Sequence, residues 1–149
     1  MTHAYDKLYL ERARTVLAHM LDFAVYELHY DITIFFDMFL ESGIAERFER
    51  GESSIIAGKS GIELAYEVVE LVEGTVERRP INSVLNRSAE YWTGWALAYY
   101  QWESGFSFQK IIERVPIKEI LALYSPYHEM DIRQFVDKMN NLLSENGIV

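Results

Sequence analysis

The chain has 149 residues, half of them hydrophobic, with 14 basic against 23 acidic side chains and a formal net charge of −9. That length and apolar content predict a single globular domain, residues 1–149, able to bury a real core. The absence of cysteine excludes a disulfide scaffold, a zinc–thiolate site and a cysteine nucleophile. The acidic balance makes nucleic acid an unfavourable partner, since phosphate neutralisation by basic groups supplies most of that affinity. The start lacks a basic stretch followed by an apolar run, and no apolar stretch reaches the roughly 20 residues that a bilayer span needs. A cytoplasmic protein with no membrane association is the expectation.

In chain order, the apolar residues recur with helical spacing almost throughout. A first helix is predicted over 4–30, with Ala13, Val16, Leu17, Met20, Phe23, Ala24 and Leu28 on one face. Asp31 is placed to cap a second helix through Ile34, Phe35, Met38 and Phe39, closed by Gly43. Ser42 opens a short helix over 44–50, and 52–59 reads as a loop. Ser60 caps a helix carrying Ile62, Ala65, Val68, Val69 and Val72, with Gly61 allowing close approach of a neighbour and Gly74 ending it. From 75 to 87 the period is lost among Pro80, Asn82 and Asn86, so this is the long connection, with room for a short β-hairpin.

Ser88 then caps the most distinctive segment of the chain. All three tryptophans lie within 91–102, a run without charge. Tyr91, Trp92, Trp95, Tyr99 and Trp102 share one helical face, and the other face, with Thr93, Gly94, Leu97, Tyr100 and Gln101, is also uncharged. A helix apolar nearly all round is a buried helix, so this is the predicted centre of the fold, ending at Gly105. Ser107 opens a short helix with Phe108, Ile111 and Ile112. Pro116 sits near N1 of the next, over 117–124, and Pro126 marks a break. The last helix covers 130–144, with Ile132, Phe135, Val136, Met139, Leu142 and Leu143 inward. The expectation is all-α: a compact, irregular bundle of seven or eight helices around the aromatic one.

Several groupings bear on function. Gly58-Lys59-Ser60 resembles the end of a phosphate-binding loop, but the earlier glycine is missing, Ser53 standing in its place, and no strand precedes it. A loop and a helix start are the better reading. His19, Asp22, Tyr26 and His29 form a polar stripe of types suited to metal or acid–base work, and they define the alternative function, a small metal- or ligand-binding protein or enzyme. His19 and His29 stand about 15 Å apart along the axis at 1.5 Å per residue, too far for one shared site. No metal site, cofactor or catalytic residue is assigned.

Glu63, Glu67 and Glu70 make an acidic stripe on the Ser60-capped helix. It is either a solvated face or a docking surface for a basic partner, where complementary charge speeds encounter. Arg78, Arg79 and Arg87 flank the long connection, and pairing with that stripe is favoured over ligand capture. Tryptophan dominates interface hot spots, so Trp92, Trp95 and Trp102 join Glu63, Glu67 and Glu70 as partner-binding candidates. The primary expectation is therefore a non-catalytic protein-interaction module that binds a protein partner through the acidic face, with a homo-oligomer as one form of it. A helix-turn-helix reading of 31–43 and 44–50 is disfavoured, because Glu46 and Glu49 cancel Arg47 and Arg50.

The runs 42–51, 58–65 and 91–102 together resemble those of a group of small, acidic, uncharacterised bacterial proteins found near toxin–antitoxin-type genes. The resemblance covers most of the chain. It implies an antitoxin-like, neutralising role and carries no catalytic motif with it.

Overall fold

The structure, a computed structural model, describes residues 3–78 and 87–145. Among these there are ten α-helices, one 3-10 turn and no strand. The proposed hairpin falls largely on 79–86, outside the described residues.

Asp6 accepts the Leu8 N–H at 2.9 Å and caps the 3-10 turn Lys7–Tyr9, which runs into α1, Leu10–Tyr26. The helix is thus shorter at both ends than the apolar pattern suggested. Its C-terminus is closed by backbone geometry: His29 adopts φ 61, and the Tyr30 N–H returns to the Ala24 carbonyl at 3.0 Å. The chain is then free to extend at Asp31, whose carboxylate accepts the Thr33 N–H at 2.9 Å and starts α2, Ile32–Glu41. Gly43, at φ 84, turns the chain into α3, Ile44–Glu49. Ser42 joins the two helices, donating to the Phe39 carbonyl at 2.8 Å and accepting the Ile44 N–H at 3.1 Å.

The loop expected over 52–59 contains α4, Ser53–Ile56, with Ile55 and Ile56 fully buried. Four residues are too few to display a period. A capping box of Ser60 and Glu63 opens α5, Gly61–Glu73, as expected. Ser88 accepts the Tyr91 N–H at 3.0 Å and opens α6, Ala89–Ser104, which Gly105 ends at φ 73. The helices α7, Phe108–Arg114, and α8, Ile117–Ala122, follow, with Pro116 as the cap of α8 rather than its first residue. The single helix expected over 117–124 is in fact divided: α9, Tyr124–Tyr127, is a separate turn. Pro126 lies inside α9 rather than breaking the chain, because the first turn of a helix needs no N–H from it. The last helix, α10, is Ile132–Glu145.

The aromatic helix is central. It packs most extensively on α1, and also touches α8, α9 and α10. It shares that role with α1, which holds α5 on another side. The approach of α1 and α6 is set by Gly94, where an added Cβ would lie 2.5 Å from the Leu17 carbonyl oxygen. Gly61 does the same for α5: its Cβ would lie 2.6 Å from the Val16 oxygen and 2.4 Å from the His19 Cβ. Around this spine, Phe36, Phe39, Phe48 and Phe108 meet edge to face at centroid distances of 5.3 to 6.2 Å and bind α2, α3 and α7 together. No helix among the described residues is long and apolar enough to cross a membrane.

Candidate functional site

The polar stripe of α1 is spent on holding α6. Asp22 accepts a short hydrogen bond from the Ser88 hydroxyl, and Tyr26 donates to Glu90 at 2.8 Å. The Glu90 hydrogen bond pushes the Tyr26 hydroxyl up to about 12. Burial raises the Asp22 carboxyl above its ordinary range, with the Ser88 bond opposing. His19 is half-buried, edge-on to the Tyr91 ring at 5.5 Å, and burial lowers its pKa. His29 lies beyond the helix end in its left-handed conformation. The four side chains therefore do not converge, and among the described residues no group of three or more His, Asp or Glu is placed to hold a metal ion.

The acidic stripe of α5 is largely matched from within. Glu63 closes the capping box. Glu67 pairs with Lys59, and Glu70 receives Arg78 through Nη2 at 2.7 Å and Nε at 3.3 Å. The Arg78 hydrogen bond holds the Glu70 carboxyl below its usual range. The arginine nearest the stripe thus pairs as the sequence suggested, while Arg79 lies outside the described residues. The Gly58-Lys59-Ser60 run serves as an ion pair and a helix cap, in keeping with its loop reading.

The tryptophans divide into two places. Trp102 is 3% exposed. The N-terminal segment seals it: His3 stacks on the indole at 3.8 Å, and Trp102 Nε1 donates to the Tyr5 carbonyl at 2.7 Å. Trp92 and Trp95 instead wall a cleft of about 540 Å³ between α1, α6 and α9. Tyr91 and Tyr124 complete the aromatic walls, and Glu11, Thr15, Arg87, Ser88 and His128 supply the polar groups. Trp92 meets Tyr124 edge to face at 5.9 Å. His128 stacks on Tyr124 at 4.1 Å and is fixed by contact of Nδ1 with the Tyr124 carbonyl at 2.7 Å.

Behind Trp95 lies Arg14, only 5% exposed. Its guanidinium covers one face of the indole at 3.3 Å from the centroid and stands 4.9 Å from the Tyr99 ring. It donates to the Trp95 carbonyl at 3.3 Å and to Glu11 at 3.2 Å. Burial lowers its pKa, with Glu11 opposing, but a guanidinium remains charged in proteins. The sequence reading missed this residue. Its signal was a cation whose i+3 and i+4 neighbours, Leu17 and Ala18, are core residues. A smaller cleft of about 340 Å³ adjoins, sharing Glu11 and Thr15. Its cations are engaged, Arg12 with the Ala57 carbonyl at 2.7 Å and Lys59 with Glu67.

These features define a small all-helical protein with an aromatic surface cleft. No family model, curated protein or solved structure matches the chain.

Proposed function

We propose that this protein is a binding module that captures a flat, largely apolar group in the cleft between α1, α6 and α9. The supporting observation is the cleft itself: its volume, about 540 Å³, lies within the roughly 300–1,000 Å³ of small-molecule sites, and its walls combine the rings of Tyr91, Trp92, Trp95 and Tyr124 with polar groups of Glu11, Thr15, Arg87, Ser88 and His128. Binding rather than chemistry is the favoured reading because, among the described cleft residues, no hydroxyl is hydrogen-bonded to His128, whose ring stacks on Tyr124 with Nδ1 on its carbonyl, and Glu11 is held by Arg14. A protein partner on the α5 stripe has less support, since an incoming cation would have to displace Lys59 or Arg78. An antitoxin-like role rests on the sequence resemblance alone.

Thr15→Trp provides the test. Thr15 is exposed on α1 and lines the cleft, so the large side chain fills the site without disturbing the core. A thermal-shift and ligand-detected NMR screen of flat aromatic fragments should give ligands that bind the native chain and not this variant. Fragments that bind both equally, or none that bind the native chain, would refute the reading.

A further inference from the structure

From the charges around the cleft we infer that its ligand is a planar aromatic anion, a flat ring bearing a carboxylate or phosphate. This deepens the cleft reading above and rests on it. An aromatic box is ordinarily a cation site, because the ring faces are negative. Here that attraction is already used. The Arg14 guanidinium, 3.3 Å from the Trp95 centroid, is fixed and buried, where charge is weakly screened. It draws the indole's electron density toward its own side. A cation stacked on the remaining face would meet a depleted ring with a like charge behind it, whereas an electron-rich or anionic ring would be attracted. Glu11 lines the cleft and pairs with Arg14 at 3.2 Å through Oε1, so the two charges largely offset each other and the positive side of the cleft is that of Arg87. At the other side of the cleft, Arg87 is exposed and makes no ion pair among the described residues. It can therefore turn its fork onto a carboxylate or phosphate. Tyr91 lines the same cleft and can offer its hydroxyl to the anion, whereas the Ser88 and Thr15 hydroxyls are already given to Asp22 and to the Glu11 carbonyl.

A matched set of probes tests this: indole-3-acetate, tryptamine and neutral 3-methylindole, with adenosine monophosphate as the phosphate-bearing counterpart. The readout is the indole Nε1 signals of the nitrogen-15-labelled protein. The chain has three, and Trp102, sealed under His3, is an internal reference. The anions should shift Trp92 and Trp95 but not Trp102, with indole-3-acetate or adenosine monophosphate binding at least about tenfold tighter than tryptamine, the scale of one charge-assisted hydrogen bond. Whichever anion binds tighter identifies the carboxylate or phosphate source. Arg87→Ala should reduce the anions to the affinity of 3-methylindole. Tryptamine binding as tightly as the anions, or a preference for the anions over 3-methylindole that survives Arg87→Ala, would overturn the anion assignment and leave the cleft standing. If none of the probes shifts Trp92 or Trp95, or if Thr15→Trp leaves their binding intact, the cleft reading falls as well.

Discussion

At position 94 one absent methyl group sets the spacing of the two longest helices. Gly94 lies where α6 crosses α1, and a Cβ there would stand 2.5 Å from the Leu17 oxygen and 2.8 Å from the Ala18 Cα. Those are backbone atoms, so no rotamer change relieves the overlap. Gly94→Ala should therefore separate the helices and cost about 1–3 kcal/mol, the range for overpacked cores, despite the better helix propensity of alanine. Thermal denaturation would show a fall of several degrees; an unchanged or raised Tm would mean that the crossing is looser than described. His19, at the neighbouring α1–α5 contact, makes stability depend on pH. Burial lowers its pKa below 6.5 while nearby Asp22 opposes. Between the folded value and 6.5 the unfolded chain binds the extra proton, so stability falls as pH drops through that window and is fully regained above it. Replacing His19 by Gln should flatten this part of a urea-midpoint against pH curve and leave the more acidic part, which depends on carboxylates, in place.

The elements that declared themselves in the sequence are those whose ends carry chemistry. Asp31, Ser60, Ser88 and Ser107 each cap the helix assigned to them, and Gly43, Gly74 and Gly105 stand at the expected ends with positive φ. The elements that did not are α4 and α9, single turns fixed by tertiary contacts rather than by any period. The site divides in the same way. Its α6 wall, Trp92 and Trp95, was legible as a concentration of indoles in one uncharged run. Its other walls, from Glu11, Thr15, Tyr124 and His128, were not, because only the folded chain brings α1 and α9 beside α6. Charge pairing is legible but energetically slight. The Glu70–Arg78 pair has good geometry, yet its arginine is nearly half exposed. Arg78→Ala should shift the urea midpoint only slightly, and less still in high salt. A larger shift would show that the guanidinium's contact with the Tyr66 ring, 5.2 Å from its centroid, or repulsion along Glu63, Glu67 and Glu70 matters to the fold.

Across the whole molecule, burial is uneven, and this makes one end of the bundle the first to open. In α1 and α6 buried residues lie on most sides, whereas α10 contributes only Phe135, Met139 and Leu143 to the fully buried set, and α9 none. What holds α10 is the edge-to-face contact of Phe135 with Trp92 at 5.2 Å and the Tyr100 hydroxyl donating to Asn140 at 2.7 Å. Tyr100 is otherwise sealed, and burial pushes its hydroxyl up to about 12. Undocking α10 thus removes the only partner this hydroxyl has among the described residues and uncovers the rear of Trp92. Regions with few buried contacts open at lower free energy than the core. Native-state hydrogen exchange should show amides of α9 and α10 exchanging before those of α1 and α6. Phe135→Ala, which removes a large buried ring at a cost of about 3–5 kcal/mol, should widen that gap and shift Trp92 emission to the red. Equal loss of protection in all helices would instead mean that the bundle opens as one unit. Because Tyr124 and His128 of the same end wall the cleft, a ligand seated there should slow exchange in α9 and α10 selectively, tying occupancy of the site to closure of the part of the fold most ready to open.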